Sequence, residues 1–192
     1  MYNDINIIKN PSKIDVLVNK NNKLPDNYIP KDLLPLNSNY TINMQYLRKE
    51  AKYHFEKLCT DALKEGYIIK AVSTYRTSDY QEKLYNNYCL EKGIEYASIC
   101  SAKKDHSEHQ TGLAVDVADN LGEYNNFENT EEFKWMKNNS YKYGFILRYP
   151  KYKTDITGYI YEPWHYRYVG NYLAKQLYKN NLTLEEYKKS KE

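Results

Sequence analysis

The sequence predicts an α+β fold with a small, mostly antiparallel sheet flanked by helices, and two observations carry that prediction. Stretches with apolar residues three and four apart, which mark helices, are mixed with short runs of β-branched and aromatic residues, which mark strands. Their order is too irregular for repeating strand–helix–strand units, which argues against a doubly wound parallel sheet.

Residues 1–40 are polar and carry Pro11, Pro25, Pro30 and Pro35, with one strand-like run from Ile14 to Val18. They read as an extended arm packed on a single domain formed by residues 41–192. From Thr41, the positions Met44, Leu47, Ala51, Phe55, Leu58 and Ala62 predict a helix that Gly66 closes. Tyr67 to Tyr75 predicts a strand with Arg76 at its C-terminal end. Ser78 and Gln81 have the S-x-x-Q spacing of a capping box, so a helix is expected from Ser78 to Lys92, with Gly93 after it. Residues 94–106 have no regular period and are expected to be loop. Leu113 to Val117 alternate as a short strand, and a third helix is expected from Thr130 to Tyr143, ended by Gly144. Phe145 to Leu147 reads as a strand. A polar loop over 150–158 leads into a strand pair around Tyr159 to Val169. Two helices finish the chain, the second opened by Thr183 and Glu186 as a capping box.

Bulk properties limit the function classes. Lysine and arginine total 28 against 25 acidic residues, and a scattered net charge of +3 gives no footprint for a nucleic acid. A small or peptide substrate fits better. No apolar run approaches the ~20 residues that span a bilayer, and the first residues lack the basic start and apolar core of a signal peptide. The expectation is therefore a cytoplasmic protein, or a cell-envelope protein if a leader or anchor precedes this sequence. Cys59, Cys89 and Cys100 form no C-x-x-C pair and are expected to be buried thiols. The 23 tyrosines are expected to supply core and cleft walls.

The chemistry is concentrated in two stretches, Ser107-Glu108-His109-Gln110-Thr111-Gly112-Leu113-Ala114-Val115-Asp116 and Glu162-Pro163-Trp164-His165-Tyr166-Arg167. Two histidines, an aspartate and a further carboxylate are the recipe for a catalytic zinc site with an open coordination position. His109, Asp116 and His165 are the expected ligands of one ion. Asp116 lies on an otherwise apolar strand, where a carboxylate is costly unless paired or metal-bound. It shares a face with Ala114 and Ala118, opposite Leu113, Val115 and Val117. Glu162, three residues before His165, is expected to be the general base. A bend at Pro163 is then required, because a flat strand would put Glu162 and His165 on opposite faces. Arg76 is expected to clamp an oxyanion or carboxylate. Trp164 and Arg167 should support the site by packing and hydrogen bonding. Gln81 and Ser107 admit either a capping or a functional reading, and His54 and His106 are assigned no metal.

These motifs, together with Ser73-Thr74-Tyr75-Arg76, Tyr143-Gly144-Phe145-Ile146-Leu147-Arg148-Tyr149-Pro150 and Ile156-Thr157-Gly158, resemble the zinc D,D-peptidases of the VanY, VanX and VanXY type and the related L,D-carboxypeptidase LdcB. The resemblance covers about residues 15 to 170. It implies a hedgehog/D,D-peptidase-like fold with zinc on His109, Asp116 and His165, Glu162 as base and Arg76 as transition-state stabiliser. It also implies that Gln81 and Ser107 hold the terminal D-alanine. The implied reaction is removal of D-alanine from peptidoglycan precursor peptides ending in D-Ala-D-Ala, with D-Ala-D-Ala dipeptidase activity and a vancomycin-resistance role as an extension. Alternatives are an L,D-carboxypeptidase, an L-Ala-D-Glu endopeptidase, or a non-enzymatic zinc-stabilised binding module. The stretch Ala102 to His106 departs from the Pro-Gly turn common in relatives, which puts substrate preference in question.

Overall fold

The computed structural model describes residues 2 and 4–191. A four-stranded antiparallel sheet lies at its centre, in the order β5-β6-β8-β7, formed by Lys70–Ser73 (β5), Ala114–Ala118 (β6), Phe145–Leu147 (β7) and His165–Tyr168 (β8). Before it come two small strand pairs: Asn6–Ile7 (β1) parallel to Asn22–Lys23 (β2), and Leu33–Pro35 (β3) antiparallel to Tyr46–Arg48 (β4). The helices are Lys49–Lys64 (α1), Ser78–Lys92 (α2), Ile94–Cys100 (α3), Glu131–Asn139 (α4), Thr154–Thr157 (α5), Asn171–Asn180 (α6) and Leu184–Lys189 (α7).

One face of the sheet is packed on α1. Leu113, Val115 and Val117 join Phe55, Leu58, Ala62 and Phe145 in the main core. The arm contributes to the same core through Val16, Val18, Leu24 and Leu36. The Ile14–Val18 run is not a strand: its valines are buried, while the carbonyls of Ile14 and Val16 accept hydrogen bonds from Arg167.

Several predicted boundaries move, each for a local reason. The helix expected from Thr41 begins at Lys49, because Tyr46–Arg48 pairs with β3, Leu47 opposite Leu34, and leaves Met44 76% exposed. Strand pairing overrides an accidental helical spacing there. The strand expected from Tyr67 narrows to β5, and that expected at Leu113 shifts by one residue to β6. Segment 94–106, expected to be loop, opens with α3, a helix too short to show a period and with Ala97 as its buried contact. The helix expected over 130–143 gives way after Asn139 to a 3₁₀ turn, Ser140–Tyr143, and the loop at 150–158 contains α5. The strand pair expected over 159–169 is the single strand β8. Cys59 is buried as expected, but Cys89 and Cys100 are only half-buried.

Gly144 closes the 3₁₀ turn at φ +83°, and a Cβ there would stand 2.6 Å from Tyr168 Cε2 and 3.1 Å from the Gly170 carbonyl carbon. Left-handed strain and overpacking add, so Gly144→Ala is expected to cost about 2–4 kcal/mol. The loss would be read as a lowered urea midpoint with unchanged slope.

Candidate active site

The site is built on a row across the sheet. Residue pairing sets Ser73 of β5 opposite Asp116 of β6, and Asp116 opposite His165 of β8, so the three side chains project together. This is the face that carries Ala114 and Ala118, whose small side chains leave room above the strand. His109 arrives from the 3₁₀ turn Glu108–Thr111, which Gly112 ends at φ +64° before the chain enters β6. Ser107 caps that turn by accepting from the His109 N–H.

His109, Asp116 and His165 each offer a ligand atom, all within 4.8 Å of one another, and all three residues are buried. His109 Nδ1 donates to the Thr74 carbonyl at 2.6 Å, which leaves Nε2, 3.3 Å from Asp116 Oδ2, as the free nitrogen. His165 Nδ1 stands 3.0 Å from Asp116 Oδ1. Tetrahedral coordination at bond lengths of about 2.0–2.1 Å separates ligand atoms by about 3.3 Å, so the donor set fits a zinc ion. Burial and the Arg76 charge lower the His109 pKa to about 4, whereas at His165 burial is outweighed by Asp116 and Glu108, which raise it to about 9, so a metal bound there displaces a proton. Burial would raise Asp116, but His109, His165 and Arg76 hold it well below the usual carboxylate range.

Glu162 reaches the same point through the bend expected at Pro163. The His165 N–H donates to the Glu162 carbonyl at 3.2 Å, closing a turn, and this sets Glu162 Oε2 3.7 Å from His165 Nδ1. The start of the turn is pinned by the Glu162 N–H on the Tyr149 carbonyl. Burial, opposed by the pull of His165, raises Glu162 to a pKa of about 7. Arg76 donates from Nε to Ser73 Oγ at 2.9 Å and from Nη2 to Asp116 Oδ2 at 2.7 Å.

A cleft of about 550 Å³ opens over these groups. Arg76, Gln81, Ser107, Glu162 and Trp164 all line it, as do Tyr75, Tyr88, Tyr124, Tyr149 and Tyr159. Trp164 packs edge-on to Tyr124. The capping-box reading of Ser78 and Gln81 is corrected: Thr77 caps α2, accepting from the Tyr80 N–H, while Ser78 Oγ donates to Asp105. Gln81 instead donates to Ser101 Oγ and the Ala102 carbonyl and accepts from Arg76 at 3.4 Å, tying α2 to the segment after α3. His106 turns away from the ligands, with Nδ1 on the Asn19 carbonyl. Among the described residues, no other group of histidine, cysteine and acidic residues converges as these three do.

Sequence reasoning missed Glu108. It is 2% exposed, and its Oε1 accepts from Arg148 Nε at 2.8 Å and Arg167 Nη1 at 2.7 Å. Burial would raise its pKa, but the two guanidiniums hold it well below the usual carboxylate range. A signal was available: Arg148 and Arg167 sit in otherwise apolar and aromatic runs, and buried arginines require a buried carboxylate.

Residues 44–171 match the family model described as VanY, D-alanyl-D-alanine carboxypeptidase. The chain belongs to the VanY family. Membership makes it a metallopeptidase of the carboxypeptidase class. "Putative carboxypeptidase YodJ" of Bacillus subtilis (strain 168) is 46% identical over 190 residues, 94% of this chain and 68% of that protein. The solved structure of the LdcB LD-carboxypeptidase superposes with a TM-score of 0.91 at 45% identity, covering 97% of this chain and 91% of that one. VanYB in complex with D-alanine-D-alanine gives a TM-score of 0.81 at 32% identity, covering 93% and 99%. A glutamate-to-alanine variant of VanY in complex with Zn(II) gives 0.78 at 34%, covering 91% and 98%. The α+β fold with its small antiparallel sheet is thus that of the family.

Proposed function

We propose that this VanY-family chain is a zinc-dependent D,D-carboxypeptidase that releases D-alanine from peptidoglycan stem peptides ending in D-Ala-D-Ala. The observation that carries the reading is the convergence of His109, Asp116 and His165 beside the buried carboxyl of Glu162. Zinc, when bound to the three ligands, supplies acidification of water and polarisation of the scissile carbonyl. Glu162, with a pKa near neutrality, takes the proton from the attacking water and passes it to the leaving amine of D-alanine. Arg76 lines the cleft beside Asp116 and is the cation available to the developing oxyanion. Gln81 and Ser107 line the same cleft and are assigned to the terminal D-alanine. The ordered Gln81 amide, already engaged with Arg76, Ser101 and Ala102, holds that wall rigid.

His109→Ala is expected to lose the ion. Metal analysis after dialysis should fall from one zinc per chain to a trace, since two remaining protein ligands do not hold a catalytic zinc. Retained zinc would remove His109 from the ligand set.

A second reading, L,D-carboxypeptidase, is supported by the TM-score of 0.91 with LdcB. The deciding experiment measures D-alanine release by the zinc-loaded protein from a muramyl pentapeptide, a muramyl tetrapeptide and free D-Ala-D-Ala. Release from the pentapeptide alone is the expected result. Release from the tetrapeptide alone selects the L,D reading, and added cleavage of the dipeptide makes the enzyme bifunctional, as VanXY-type resistance enzymes are. No release from any of the three, with zinc bound, would sink both carboxypeptidase readings.

A further inference from the structure

His165 is braced from behind by a line of buried charges that runs out of the matched segment 44–171 into the C-terminal helix. His165 Nε2 lies 3.4 Å from Glu108 Oε2, while Glu108 Oε1 serves Arg148 and Arg167. Arg148 turns its remaining nitrogens to Glu185 of α7, donating from Nη1 to Oε2 at 2.8 Å and from Nη2 to Oε1 at 2.6 Å. Asn19, from the arm, also donates to Glu185 Oε1, at 3.2 Å. The side chains of Arg148, Arg167 and Glu108 are at most 1% exposed and that of Glu185 is 13% exposed, so these charges are compensated chiefly by one another and only the outer end of the line meets solvent.

We propose that Glu185 is a positioning residue of the metal centre: by occupying the fork of Arg148 it leaves Glu108 Oε2 free for His165 Nε2, and so fixes the imidazole that presents Nδ1 to the ion. The inference rests on the zinc-site reading above. Its physical basis is competition for one oxygen. A guanidinium with two free nitrogens grips a carboxylate through both oxygens. That mode is spent on Glu185, and Arg148 meets Glu108 through Nε alone. The other carboxylate that Arg148 contacts is Glu108, so without Glu185 the freed nitrogens turn there and draw Oε2 away from His165. Loss of such a carboxylate partner behind a ligating histidine lowers metal affinity by about 10- to 100-fold.

The test measures zinc affinity by competition with a chromophoric chelator, and the ligand-field spectrum after cobalt substitution, in the full chain and four variants. Glu186→Ala is the control for loosening of α7: Glu186 completes the capping box with Thr183 and pairs with Lys153, without touching Arg148. Glu185→Ala is expected to weaken zinc binding about 10-fold or more and to shift the cobalt spectrum. Glu185→Gln should lose less, since an amide still offers one acceptor oxygen. Glu186→Ala should lower the melting temperature and leave affinity and spectrum unchanged. Wild-type affinity in folded Glu185→Ala, or an equal loss in Glu186→Ala, overturns the proposal. If Glu185→Ala does not fold, Glu185→Gln is judged by the same criteria. The fourth variant, His109→Ala, separates the two levels: if it binds zinc as tightly as the wild type, or if the wild type binds none, the zinc-site reading itself falls and takes this inference with it.

Discussion

Glu162→Ala is expected to leave zinc in place and to lower turnover about a thousandfold or more, equivalent to roughly 4 kcal/mol of transition-state stabilisation. The two halves of this expectation have separate structural grounds. Metal retention follows because the converging ligand atoms belong to His109, Asp116 and His165 and not to Glu162. Loss of turnover is expected because Glu162 is the carboxyl in the cleft that burial brings to a pKa of about 7, where a carboxyl can both accept and return a proton. Elemental analysis and single-turnover kinetics on the same zinc-loaded sample check both halves. Near-normal turnover would remove Glu162 from proton transfer, and loss of zinc would make it a ligand.

Glu108→Ala is expected to be the most destabilising single change in the site, costing about 3–5 kcal/mol, because it strands buried charge. Arg167 would keep carbonyl partners at Ile14, Val16 and Tyr168 but no carboxylate, and Arg148 would keep only Glu185. The cost should be visible as a large fall in melting temperature of the metal-free protein. A fall no greater than that of an exposed glutamate-to-alanine change would mean that water or local rearrangement compensates the arginines.

How legible these features were in the sequence depended on whether their cause was local. The helix over 78–92 ends and the strand over 145–147 begins where predicted, since glycine at 93 and 144 stops the preceding structure by backbone geometry, while the helix start at Ser78 was placed correctly through the wrong cap. The capping box at Thr183 and Glu186 was likewise written within four residues. The start of α1 was not, because what decides it is pairing of Tyr46–Arg48 with a strand from the arm. The ligand candidates were legible from their chemical types and the cost of a carboxylate on an apolar strand. Their convergence depends on register, Asp116 opposite His165, which no local pattern states. Glu108 was hidden for a similar reason: its partners, Arg148 just after β7 and Arg167 within β8, come from far along the chain.

Placing Asp116 and His165 opposite each other in the middle of a sheet, with Gln81, Ala102 and Tyr124 contributed by the segments above it, divides the molecule into a fixed anvil and an exchangeable tool rest. Sheet register is set by the buried face, so the reacting groups keep their spacing whatever the overlying segments become. The stretch from α3 to His106 is held to that layer by a few side-chain tethers, Gln81 on Ser101 and Ala102, and Ser78 and Gln110 on Asp105. Exchange of the positions between those tethers is expected to alter what the cleft accepts while the spacing of His109, Asp116 and His165 stays as it is.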